Sequence, residues 1–309
     1  MPLSIFGFRA MWSPGLIGVS LFMLVVYFLI TVKWRKEIKN NTALTWQQAC
    51  NFIGFLIVLY IIKGSPINLM SHIMFTMHMV QMAVLLLFAP ILLIKGIPNY
   101  LWQFVIELPV VKPLFHMLTK PLPALIIFAG LFSVYHIPII FDYIKLQETV
   151  HGLFTFVLFL SAVLMYWPLI NTLEGQTKMK GLFKVGYIIA SAVLVTPACA
   201  MIIFASSPLY ATYADGEIWM KAMALCVPAD TLTDLKGLSG PELFTNMTSL
   251  NDQQLGGVLM KILQEIIFGI ILFKVFFDWY QSDKKNADQM TEDALAERER
   301  LRENEFRRT

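Results

Sequence analysis

Ionised side chains are scarce in this sequence. They make up 15% of its 309 residues, against roughly a quarter in a soluble domain. Apolar residues make up 57% and the mean hydropathy is +0.64, so an ordinary water-soluble globule is excluded and a membrane protein is indicated. Cysteine is sparse as well. Cys50, Cys199 and Cys226 are far apart with no CxxC spacing, which argues against a zinc ribbon and a disulfide framework. A concentrated basic surface is missing too: the formal charge is +3, its basic residues are scattered between apolar runs or gathered in the tail, and no nucleic-acid partner is expected. No internal repeat is visible, which disfavours a carrier built from two inverted halves.

What is present is a series of apolar runs, each near the roughly 20 residues a helix needs to cross a bilayer. They lie at about 14–32, 46–62, 72–94, 121–141, 151–170, 184–206 and 257–280. The expected fold is all-α, a polytopic membrane bundle of about seven transmembrane helices in the lipid bilayer. Basic residues set its orientation. Lys33, Arg35, Lys36 and Lys39 follow the first run, Lys95, Lys112 and Lys120 the third, Lys178 and Lys180 the fifth, and the tail is rich in Lys and Arg. The N-terminus is therefore predicted outside and the C-terminus in the cytoplasm. The first run is read as a retained span, because its positive charges follow it and no small-residue cleavage site ends it. The expected organisation is a transmembrane domain over 1–283 with a long outer loop at about 207–256, then a charged cytoplasmic tail over 284–309.

This topology gathers four of the five histidines in one leaflet. His72 and His78 lie at the outer end of the third span, His136 near the outer end of the fourth and His151 at the start of the fifth, while His116 falls in a cytoplasmic loop. Polar groups in a span are costly and face the bundle interior or a wet cavity. Each ring alone is readily explained by a hydrogen bond to a carbonyl or a headgroup, but four at one depth invite a shared site. On a continuous helix His72 and His78 sit about 120° apart, whereas Met74, His78 and Met82 share one stripe with Gln81 beside it. Neutral imidazole and thioether suit Cu(I). The candidate metal ligands are therefore His72, His78, His136, His151, Met74 and Met82, with copper, as transiently held Cu(I), the expected metal. Pro138 is expected to bend or end the fourth span beside His136. Cys199 is read mainly as packing, and Cys226 as a weak candidate for passing metal at the surface. Glu265, deep in the seventh run, is expected to face the interior or be protonated, as a proton relay or a hydrogen-bond partner of a ligating histidine.

Several short motifs carry a resemblance. His78-Met79-Val80-Gln81, Ala89-Pro90-Ile91-Leu92-Leu93, Gly96-Ile97-Pro98, Tyr135-His136-Ile137-Pro138, His151, Tyr166-Trp167-Pro168-Leu169 and Asp252-Gln253-Gln254-Leu255-Gly256-Gly257 occur in this order. Together they resemble the CtaG family of bacterial membrane proteins associated with cytochrome c oxidase assembly. The resemblance implies a seven-span, non-enzymatic protein of the bacterial plasma membrane needed for an active caa-type oxidase, with copper handling as the proposed role. The implied partners are the oxidase subunits, subunit I above all, and an extracytoplasmic copper donor. Many members carry a histidine directly after the HMxQ motif, and here that position is Met82. A thioether can replace imidazole at Cu(I), while a bis-histidine haem site using that position would be lost. The competing readings are a haem-binding redox protein and an ion-coupled transporter or scaffold using Glu265.

Overall fold

A computed structural model describes residues 6–38, 41–176, 179, 181–224 and 246–306. Cys226, Lys178 and Lys180 lie outside the described residues. Every regular element among the described residues is helical, as the composition led us to expect. In chain order these are α1 (Gly7–Met11), α2 (Pro14–Phe28), α3 (Trp46–Gly64), α4 (Pro66–Ile73), α5 (Phe75–Ala83), α6 (Ala89–Gly96), α7 (Asn99–Ile106), α8 (Val111–Leu118), α9 (Pro121–Tyr135), α10 (Pro138–Lys145), α11 (Glu148–Ile170), α12 (Leu182–Ile203), α13 (Ala211–Ala214), α14 (Gly216–Met223) and α15 (Ser249–Phe306).

Local chemistry accounts for many of these boundaries. A capping box of Thr45 and Gln48 opens α3, satisfying two otherwise orphaned N–H groups. Ser65 caps α4 with Pro66 behind it, and proline also stands in the first turn of α2, α9 and α10, where its missing N–H costs nothing. Between α5 and α6 the chain stays helical through a π turn at Val84–Phe88. Pro90 follows after Ala89, and the wider turn accommodates a ring that would otherwise clash with the carbonyl four residues back.

Five helices are long and apolar enough to cross a membrane, or up to seven if each of two bent pairs is one span. The first, second, third, fifth and sixth expected runs match Pro14–Lys33, Trp46–Gly64, Phe75–Gly96, Glu148–Ile170 and Leu182–Ile203. The fourth run is a bent pair, α9 and α10 meeting at 79°, because Pro138 ends one helix and starts the next. The other pair, α7 and α8, is bent by 112° and occupies a stretch expected to be a loop. His116, on α8, is exposed. The seventh run lies within α15, a helix of 58 residues that passes residue 283 without a break.

The apolar half of α15 runs antiparallel along α12. Gly257 lies against Ile202 and Ile203, Gln264 Nε2 donates to the Ala192 carbonyl at 3.1 Å, and Trp279 lies beside Gly181. Adjacent glycines allow close approach on two sides, Gly256 toward α5 and Gly257 toward α12. A Cβ at Gly256 would stand 3.1 Å from the Thr76 Cα and 2.9 Å from the Phe75 ring, and one at Gly257 2.8 Å from Ile203. We expect Gly257→Leu to lower stability by about 1–3 kcal/mol through overpacking, read as a lower thermal unfolding midpoint in mild detergent.

Candidate functional site

The site begins with a break in the helix. Instead of running on from His72 to His78, the chain turns extended at Met74 (φ −122°, ψ 134°), which ends α4 and starts α5. A break leaves carbonyls unpaired on one side and N–H groups on the other, and inside a membrane protein each needs a partner. Distant residues supply them. Asp252 accepts from the Phe75 N–H at 2.7 Å and the Thr76 N–H at 3.2 Å, while its own carbonyl accepts from Thr76 Oγ1 at 2.8 Å. On the other side the Tyr213 hydroxyl donates to the Ser71 carbonyl at 2.6 Å, Lys145 Nζ approaches the same oxygen at 3.5 Å, and Trp219 Nε1 donates to the Ile73 carbonyl at 3.2 Å.

Because the helix is broken at Met74, the 120° offset of a continuous helix no longer describes the two histidines, and each is found beside a third ring on α11. The ring centre of His72 lies 6.2 Å from that of His151, and the ring centre of His78 lies 6.3 Å from His151. His151 is thus the ring that both approach. His78 is fully buried, with the Tyr135 hydroxyl 3.4 Å from its Nε2 and the Phe141 ring at 5.2 Å. His78 Nδ1 and His151 Nε2 are buried without a hydrogen-bond partner among the described residues, a state that asks for an explanation.

The other predicted ligands are placed differently. His136 ends α9 and is fully buried, its Nδ1 donating to the Phe132 carbonyl at 2.7 Å and its ring centre 4.3 Å from Phe132 and 5.1 Å from Tyr135. Among the described residues its buried Nε2 has no hydrogen-bond partner. Its carbonyl, left over where α9 ends, accepts from the Tyr210 hydroxyl at 2.8 Å. Met74 packs into a separate apolar cluster around Leu69, Ile73, Trp219 and Met223. Met82 is buried in the main core, one turn along α5 from His78. Gln81 is a tie between helices, with its Nε2 donating to the Ile62 carbonyl and to Asn68 Oδ1.

Among the described residues no three His, Cys, Asp or Glu side chains are gathered closely enough to hold one metal ion. The cluster offers imidazole pairs sharing His151, without a closed shell. Lys145 is close enough to act electrostatically on His72, His78 and His151, and its ammonium lies 5.6 Å from the centre of the Tyr213 ring. Reasoning from the sequence gave no role to Tyr135, Lys145, Tyr213 or Asp252. Asp252 was visible only as part of a motif, and Asp142 caps α13 by accepting from the Ala211 and Thr212 N–H groups and the Thr212 hydroxyl.

Glu265 corrects an expectation. Its side chain is 57% exposed and pairs with Lys261 at 2.6 Å, while Lys261 also donates to Thr196 Oγ1 at 2.8 Å. The inward position is taken by its neighbour Gln264, and one residue of helix turns Glu265 about 100° away. It therefore lies outside the bundle interior, and among the described residues its partner is Lys261 and not a histidine. Cys199 is buried in the main core, consistent with packing.

No curated protein and no solved structure matches the chain. A family model described as cytochrome c oxidase caa3 assembly factor matches residues 25–282, a range that contains every side chain of the histidine cluster, and the chain belongs to that family.

Proposed function

We propose that this protein is a membrane-embedded copper-handling assembly factor, which holds Cu(I) as cargo and passes it toward the copper centre of the oxidase. The observation that carries this reading is the pair of gaps of 6.2 and 6.3 Å that His72 and His78 share with His151. Two opposed rings bound to one ion stand about 6 Å apart centre to centre, given a metal–nitrogen bond of about 2.0 Å. His151 is the common member, so an ion can exchange one partner at a time between the half-buried mouth at His72 and the buried end at His78.

Ligand type supports a monovalent cargo. Among the described residues the cluster contains no carboxylate, the ligand type that a hard divalent ion would favour, while neutral imidazole suits Cu(I). Size supports an ion over a porphyrin. The ring centres of Phe141, Tyr135 and Tyr213 crowd His78 at 5.2, 6.0 and 6.3 Å, and a haem would have to fit among them. The role is non-catalytic. Its setting is the bacterial plasma membrane with the cluster on the outer side, facing an extracytoplasmic donor and oxidase subunit I.

Titration of the purified protein with Cu(I) against a competing chelator tests this reading. Binding unchanged in the His72/His78/His136/His151 quadruple alanine variant would sink the site. The Lys261–Glu265 pair lies away from the cluster, so Glu265→Gln is expected to leave Cu(I) affinity and oxidase assembly unchanged. Loss of assembly in that variant, with copper binding intact, would instead favour the transporter reading.

A further inference from the structure

The outward face of α15 carries a pattern that packing within the bundle does not explain. Its inward face, through Gly257, Met260, Gln264 and Phe268, is buried. On the opposite face Ile262, Ile266, Gly269, Phe273, Phe276 and Tyr280 are exposed. Their alternating steps of four and three residues are those of a heptad seam. The register continues beyond the apolar run through Ala287, Met290, Ala294 and Leu301, all exposed, with Asp283 and Glu297 as its polar members.

Lipid accounts for only part of this surface. A Cβ at Gly269 would meet nothing within 4 Å, so the bundle does not require glycine there, whereas a second helix approaching closely would. Glu265 borders the seam on a face where hydrocarbon is a poor solvent for a carboxylate. Past Tyr280 the helix is rich in Asp, Glu, Lys and Arg, yet Met290 and Leu301 remain 73% and 60% exposed on the same line, beyond the reach of acyl chains.

Charge selects the occupant. In the register set by the seam, Asp293 and Arg298 fall on its two flanks, five residues apart. In a parallel, in-register pair of helices this is the spacing at which a flanking residue of one chain meets the opposite flank of the other. A second copy therefore places Asp293 opposite Arg298 twice, once on each side of a two-fold axis. We propose that α15 pairs in parallel with α15 of a second copy along this seam, from the membrane into the charged tail. The inference is independent of copper.

Site-directed cross-linking of the full chain in lipid vesicles at low protein density tests it. In a background with Cys50→Ser, Cys199→Ala and Cys226→Ser, Met290→Cys on the seam is compared with Glu292→Cys off it. Mild oxidation should give a covalent dimer of twice the chain mass several-fold more readily from Met290→Cys. Arg298→Asp should reduce that yield and Asp293→Arg added to it should restore it. Equal yields at the two sites, a monomer at both, or an adduct of another mass would each overturn the proposal.

Discussion

Replacing His151 with alanine is expected to weaken Cu(I) binding more than about 100-fold, exceeding the 10–100-fold effects typical of residues that only support a ligand. His151 belongs to both imidazole pairs, at 6.2 Å from His72 and 6.3 Å from His78, so its loss leaves no two rings to share an ion. Loss of His72 or His78 alone leaves one pair and should cost less. His136→Ala should cost at most about 10-fold, because its Nδ1 is committed to the Phe132 carbonyl and its ring packs against Tyr135. Chelator competition measures all four variants, with thermal unfolding confirming that each is folded. If His136→Ala falls as far as His151→Ala, the cargo does not sit between His72, His151 and His78.

Asp252→Ala should be the most damaging change outside the cluster. It removes the acceptor for two N–H groups at the start of α5 and leaves them buried. A lost helix cap costs about 0.5–2 kcal/mol and each buried unsatisfied donor about 1–3 kcal/mol, so a loss of about 2–4 kcal/mol is expected, read as a lower unfolding midpoint. Asp252 touches no imidazole, yet its variant should also bind Cu(I) more weakly. The break it caps is what turns His72 and His78 toward the same ring. Asp252→Asn, which keeps one good acceptor, should fall between the two. Full copper affinity in a folded Asp252→Ala protein would mean that the break is held without it.

Much of the fold was legible in the sequence because span length and apolarity are local properties. Five of the expected runs became single helices at nearly their expected boundaries, and Pro138 marked the bend between α9 and α10. The stretch over α7 and α8 was not legible, since Lys112, Pro113 and Lys120 interrupt its apolar character and read as a loop. Glu265 was misjudged for a different reason. The cost of an ionised group at depth argues for shelter, but it does not say that shelter must be the bundle interior, and here Lys261 at i−4 partly supplies it.

The candidate site divides along the same line. That His72, His78 and His151 share one end of the bundle follows from residue counting along spans. That Met74 leaves them for a cluster with Trp219 and Met223, while His72 and His78 each approach His151, depends on a helix break that periodicity does not encode. The sequence by itself determined a membrane helix bundle with histidines gathered at one end, because transfer of an apolar run into lipid depends only on that run. The tertiary structure decided which histidines meet, because a break at Met74 is tolerable only when its unpaired groups find partners, and Asp252 lies 177 residues from Phe75 along the chain.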